Sequence, residues 1–468
     1  MRGYPGLTKN QRLVLVFLAL STLIIISLLI WNVWSTLQAG PPAAPVPTST
    51  PQKLSLPTPT LTPRPTVIPL PTPVPTFDVA EAGQIAARVA EVRGFQGFWG
   101  TPLTLVDQHN LSVALFRYYG DYPPFVLPSE NIWDALNLRP RDPVLTDKTV
   151  TSALDVVTYA KNAAAIYFPE TEEFYFRRDW TGTLDVLEMQ LAYGYARALP
   201  DQYGDLTRLI AEAPSLDRHL ALSAVMDVDA LLTLWLYAGA DFDSPRAAEL
   251  AKMVSAANIP AWKQEEPVFD TLLRLPMTLG GPFAAAMVEY GGLEALDDVI
   301  VRPPRSTEQI LHIDRYLDGD EPQVLTPVEL QIQSTGTLQV TETLGEALIG
   351  LTMADWSLNQ FSPQVAANWG GDLLQVWGTS DGSHLALWQL TWDSSADAAL
   401  FYGNLLELLP RPLLRGIVRD TTPSFGLPRG RWWAGGQGAV FIHRQANRIV
   451  LIWGNDAAVV ENAAATLN

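Results

Sequence analysis

The sequence predicts an α+β protein in successive parts: an N-terminal transmembrane helix, a disordered Pro/Thr-rich spacer, a mainly helical domain, and a smaller α+β domain with an antiparallel sheet. Three observations carry that prediction. Residues 13–34 form an uncharged apolar run, followed by a tract dominated by proline and threonine. Apolar residues then recur at helical spacing through the middle of the chain. Beyond about Val324 the pattern turns to short β-rich runs separated by turn residues. The boundaries this implies are 1–12 for a cytoplasmic tail, 13–34 for the membrane helix, 35–77 for the linker, 78–325 for the helical domain and 326–468 for the last domain.

The anchor follows from length and charge. About 20 apolar residues cross a bilayer core of roughly 30 Å. Arg2, Lys9 and Arg12 precede the run, and no charge follows until Lys53. The positive-inside rule then leaves the N-terminus in the cytoplasm and everything after Trp34 outside, on a single-pass protein of the cell membrane. A cleaved signal peptide is the competing reading, but the run is long for one and Leu37-Gln38-Ala39 is a weak cleavage site. Gly40 to Thr76 should be an extended polyproline-like stalk, because proline blocks both helix and sheet ladders. A docking motif for proline-reading domains is the alternative.

Charge divides at the end of the stalk. The first 77 residues hold five bases and no acid, so the rest carries all 49 acids against 26 bases, a net −23. Such a surface repels nucleic acid and anionic headgroups. The chain has no cysteine, so its stability must come from a core, and the apolar content suffices for two domains.

In the helical domain, Leu184, Leu187, Leu191, Tyr195 and Ala198 mark one helix, which Pro200 is expected to end. Leu216, Leu220, Ala224, Val228, Leu231 and Trp235 mark a second, with Ser215 as its N-cap. Gly280-Gly281 should precede another helix that Gly291-Gly292 closes. AIYFPETEEFYFRR reads as a hairpin turning at Pro169 to Glu172. In the last domain DLLQVWGT, HLALWQLTW, GAVFIHR and RIVLIWG read as strands, with turns at Asp381-Gly382 and at Gln445 to Asn447. Helices are expected over Ser395 to Leu409 and Asp456 to Leu467.

The segment AYGYARALPDQYGDL, Ala192 to Leu206, resembles AHELTHALQDQHFDL, the active-site helix of a family of membrane-anchored, zincin-type (HExxH) metallopeptidases of bacteria and archaea. LDRHLALSAVMDVDALLTL (Leu216 to Leu234) resembles the family segment that supplies the third zinc ligand. GGLEALDDVIVRPPRSTEQILHIDRYLDGDEP (Gly291 to Pro322) resembles its long PPRSTEQILH block. NLRPRDPVL and AAAIYFPETEEFYF resemble upstream family segments, so the likeness covers most of the region from about Phe95 to Pro322. The resemblance implies a zincin-like fold for residues 78–325. It also implies that the zinc chemistry is gone. Tyr193 and Arg197 stand where the family has its two histidines, Gly194 where it has its glutamate, and Asp227 where it has its third ligand. HExxH works because residues four apart share a helix face and two imidazoles grip one ion, while the glutamate acts as general base. Arginine has no lone pair to offer and glycine no side chain. What remains is no catalytic residue, no metal ligand and no cofactor, only vestigial metal-site positions at Tyr193, Gly194, Arg197 and Asp227.

Other residues invite sharper readings. Asp201, Asp205, Asp227 and Asp229 resemble an acidic metal cluster, yet such residues more often cap helices or face water. His312 reads as a buried structural histidine. Trp369, Trp388, Trp392, Trp432, Trp433 and Trp453 suggest a sugar-binding platform, but alternating strand positions read more simply as core, with only Trp432 and Trp433 forced to opposite faces. Two functional readings follow. One is a membrane-tethered, extracytoplasmic, non-catalytic metallopeptidase homologue that binds an unidentified protein or peptide ligand. The other is a peptidase or other hydrolase with a rearranged, non-HExxH site. Across the Arg197 and Asp227 positions an ion pair is expected, with the Tyr193 hydroxyl beside it.

Overall fold

The computed structural model describes residues 79–95, 103–121, 130–138, 160–240, 267–330, 336–357, 363–378, 384–409, 430–435 and 438–466, with isolated positions between them. The expected anchor, the stalk and the Asp381-Gly382 turn lie outside these residues. In chain order the helices are α1 (Val79–Arg93), α2 (Gln108–Asp121), α3 (Glu130–Ala135), α4 (Leu184–Gly204), α5 (Leu206–Ala211), α6 (Leu216–Ala238), α7 (Pro267–Val301), α8 (Thr307–Leu311), α9 (Ile313–Asp318), α10 (Gly345–Trp356), α11 (Ser395–Leu408) and α12 (Ala457–Ala465). The protein is a mixed α+β fold with an antiparallel sheet in its C-terminal part.

Hydroxyl caps start the central pair of helices. Thr183 accepts from the Val186 N–H and Ser215 from the Arg218 N–H, each satisfying a donor that the first helical turn leaves orphaned. Helix α4 does not stop at Pro200. It forgoes one backbone bond there and runs on to Gly204, because Leu199 and Pro200 are buried and tertiary packing holds the turn. It ends at Asp205, which adopts a left-handed φ of 51° and donates its N–H to the Asp201 carbonyl at 2.8 Å. Helix α6 is apolar and long enough to cross a membrane, yet it is the core helix of this fold, with most of its surface covered by protein. Gly280 begins no helix. It lies inside α7, where a Cβ would meet the Ala224 carbonyl of α6 at 2.5 Å, so glycine lets the two backbones approach. At Gly291 and Gly292, where an end was expected, the backbone leaves helical geometry and divides α7 into two helices across a kink, with Gly292 at a left-handed φ of 73°.

A small sheet flanks these helices. Strands β2 (Ala165–Phe168) and β3 (Glu173–Arg177) form the expected antiparallel hairpin around a 3-10 turn at Pro169–Thr171. Strand β1 (Leu103–Val106), which no periodicity announced in only four residues, pairs parallel to β3.

The C-terminal sheet has seven strands in the order β4-β5-β6-β10-β9-β8-β7, with every neighbouring pair antiparallel. The four strands read from sequence are β5 (Trp369–Gly378), β6 (His384–Trp392), β9 (Gly438–Gln445) and β10 (Arg448–Gly454); β4 (Thr337–Glu342), β7 (Arg419–Asp420) and β8 (Gly430–Gly435) were not anticipated. Trp369, Trp388, Trp392 and Trp453 are fully or almost fully buried on the face that meets α3, α10 and α11. Trp432 and Trp433 are both buried in β8 but join two different clusters, Trp433 that same core and Trp432 the opposite face under α12. The tryptophans are core.

The main core runs without a break from Ile132 to Trp453, so helices before residue 325 and the sheet after it share one interior. Polar groups stitch it. The indoles of Trp356 and Trp453 each donate at 2.8 Å to the Leu136 and Ala135 carbonyls at the end of α3. Asp217 of α6 accepts from the Thr307 N–H at 2.9 Å and hydroxyl at 2.5 Å. Asp372 of β5 accepts from the Leu344 and Gly345 N–H groups and from the Trp388 indole. Burial outweighs these bonds and pushes Asp217 up to about 7 and Asp372 up to about 6.

Both carboxyls thus hold their protons more tightly folded than unfolded, where a carboxyl titrates near 3.9. Between about pH 4 and pH 7 the native state binds more protons, so this contribution to stability falls as pH rises. Urea midpoints should be higher at pH 5 than at pH 7.5, and Asp217→Asn should flatten the difference. A midpoint that rises steadily over this range would contradict the assignment.

Candidate functional site

Helices α4 and α6 pack side by side and carry the four singled-out positions, Tyr193, Gly194 and Arg197 on α4 and Asp227 on α6. Gln190 fixes α4 to the hairpin, its carbonyl accepting from the Ala164 N–H at 2.6 Å. One turn on, Tyr193 is buried, and its hydroxyl lies in hydrogen-bonding contact with the Arg197 guanidinium. Burial raises the Tyr193 pKa and the Asp227 charge adds to it, so the phenol stays protonated.

The expected ion pair is present. Arg197 Nη2 lies 3.7 Å from Asp227 Oδ1, beyond hydrogen-bonding range, and 3.6 Å from the Met226 sulfur. The two side chains keep 26% and 22% of their surface exposed, so the pair is about a quarter open to solvent. Crowding by protein still raises the Asp227 pKa, with the Arg197 charge opposing. A pair this loose and wet contributes roughly 0–1 kcal/mol. Arg197→Met should therefore shift the unfolding free energy by less than about 1 kcal/mol, read from urea denaturation; a loss of several kcal/mol would show a far tighter pair.

Gly194 has a stronger constraint than its neighbours. A Cβ there would lie 2.4 Å from Cζ of Phe174 in β3. Phe174 is fully buried and makes an edge contact with Tyr195 at 4.8 Å and another with Tyr167 at 5.9 Å. The aromatic ring fills the space that a glutamate would need. This arrangement does not suit zinc: a guanidinium and a protonated phenol offer it no ligand, and Phe174 fills the space beside Gly194.

The four aspartates proposed as an acidic cluster do different work. Asp201 accepts from the Thr207 N–H, Asp205 pairs with Arg208, Asp227 faces Arg197, and Asp229 accepts two hydrogen bonds from Arg93 at 2.7 and 3.0 Å. The Arg93–Asp229 pair is almost entirely buried, and Arg93 Nη1 reaches Asp297 at 2.6 Å. Sequence reading missed this partner, although an aspartate in the apolar run Val225 to Leu234 was the signal that one must exist.

The PPRSTEQILH block is a brace. Ser306 caps α8, Thr307 binds Asp217, and the Gln309 carbonyl accepts from the Arg305 N–H at 2.6 Å. His312 is only partly buried and bonds Glu346 at 2.9 Å; that contact raises its pKa. Burial, with Glu346 and Asp393 adding their charges, pushes the buried Glu308 up to about 8.

Among known proteins, a family described as a domain of unknown function (DUF8575) matches residues 333–464, from just before β4 to the last helix. No curated protein and no solved structure matches the chain.

Proposed function

We propose that this chain is a membrane-tethered, extracytoplasmic homologue of the zincin-type metallopeptidases that no longer catalyses, and that it acts as a binding or scaffold protein for a protein or peptide ligand. The observation that carries the reading is the packing of Phe174 against Gly194, with Arg197 and Asp227 facing each other one turn away. A peptidase that had merely exchanged ligands would keep room for a base and a polarised water at this place; here an aromatic ring takes the room. The segments that resemble the family are used for structure: the PPRSTEQILH block braces α6 and α10. The apolar run 13–34 supplies the tether and residues 35–77 the reach from the membrane.

The full chain should release no product from casein or a peptide library, with or without added zinc. Hydrolysis by the unmutated protein that a chelator abolishes would favour the second reading, a rearranged hydrolase site. For the topology, protease added to intact spheroplasts should release a soluble fragment by cutting between Gly40 and Thr76. Complete protection until lysis would reverse the orientation.

A further inference from the structure

Away from α4 and α6, three carboxylates from separate segments converge where the helices meet the sheet. Glu308 comes from α8, Asp320 from the turn after α9, and Asp393 from the end of β6. One oxygen of each lies within 4.8 Å of the others. Arg315 is the resident cation: its Nη1 donates to Asp320 Oδ2 at 2.5 Å and its Nη2 to Asp393 Oδ2. Arg315 does not satisfy the cluster. Three carboxyl groups share one guanidinium. Among the described residues, Oδ1 of Asp320 and Oδ1 of Asp393 accept no hydrogen bond. Glu308 is 2% exposed, its buried Oε1 has no hydrogen-bond donor, and Arg315 Nε stands off at 4.0 Å. A buried carboxylate aimed into an acidic cluster without a donor is costly unless a further cation completes it.

We propose that Glu308, Asp320 and Asp393 hold a divalent cation of the calcium type, while Arg315 remains the partner of the outer aspartate oxygens. Three oxygens no farther apart than 4.8 Å can share one ion bound at about 2.4 Å. Magnesium bonds at about 2.0–2.1 Å and demands a tighter octahedron. With Glu308 ionised on the cation, the three carboxylates and the guanidinium of Arg315 leave two negative charges, which one divalent ion neutralises. Access is available, since Arg315 and Asp320 also line an open cavity of about 430 Å³ whose other walls include Asp314, Asp318 and Glu321. Waters from that cavity complete the shell. With three protein carboxylates and a guanidinium nearby, affinity falls in the weak range of extracellular calcium modules, about 10⁻⁴–10⁻³ M. The ion would clamp α8, the turn after α9 and β6 together.

The test uses the full chain in detergent, stripped with a chelator and titrated with calcium chloride at constant ionic strength while thermal unfolding is followed. The midpoint should rise saturably with calcium and much less with equal magnesium. Asp393→Asn, at a partly exposed position, should fold and lose at least tenfold in calcium affinity; Glu308→Gln should lose as much. The site is refuted if calcium acts no differently from magnesium, or if the calcium response persists undiminished in Asp393→Asn.

Discussion

Replacing Arg93 by alanine is expected to cost about 3–5 kcal/mol of unfolding free energy, the largest single-residue effect in the protein. The guanidinium is fully buried between α1 and α6, donating twice to Asp229 and reaching Asp297. Removing it strands the Asp229 carboxylate, which burial already disfavours as an anion and which Arg93 alone holds toward the charged form. Asp229→Ala should cost a similar amount for the reverse reason. The double replacement Arg93→Met with Asp229→Leu should be milder than either single change, because no unpaired charge is then left inside. Urea denaturation of the four proteins measures this directly. Single variants within about 1 kcal/mol of the parent would mean that the pair is not buried in solution.

Building an HExxH motif into α4 is expected to fail, and Gly194 is the reason. Tyr193→His and Arg197→His each shorten a side chain, and Asp227→Glu adds one methylene at a partly exposed position. Gly194→Glu must instead place a Cβ 2.4 Å from the Phe174 ring and run a charged side chain past it. The ring cannot swing aside, since Tyr167 and Tyr195 hold it on two sides. Overpacking of this kind costs about 1–3 kcal/mol, before the buried charge is counted. Gly194→Ala alone should therefore destabilise the protein measurably. The fourfold variant should be less stable than the threefold one that keeps Gly194, and should show no peptidase activity. Equal stability of these two variants would show that Phe174 yields easily.

What could be read from the sequence depended on whether a signal was local. Ser215 announced its helix because a cap is a contact within four residues, and Ala165 to Arg177 announced a hairpin through a short turn between β-branched and aromatic runs. The Arg197–Asp227 pair was legible because two helix positions had a family template to place them. The long-range partners were not legible: Arg93 lies 136 residues from Asp229, and nothing in either segment names the other. Helix α10 escaped for a different reason. It is buried on nearly every side, so it shows no amphipathic stripe to read. Pro200 misled because propensity speaks for an isolated helix, while here buried Leu191, Ala198 and Leu199 hold the turn from outside. Phe174 could not be foreseen as the occupant of the Gly194 space, since the contact joins a strand to a helix twenty residues on.

The central claim is that the pairing of α4 with α6 does not support zinc chemistry. Its most direct test is the zinc content of the full chain purified without added metal and dialysed against a weak chelator. Arg197 and Tyr193 offer zinc no ligand and Phe174 fills the space beside Gly194, which predicts far less than one zinc per chain and no change when Arg197 is replaced. One zinc per chain, retained through dialysis and lost on mutation of Asp227, would contradict the account.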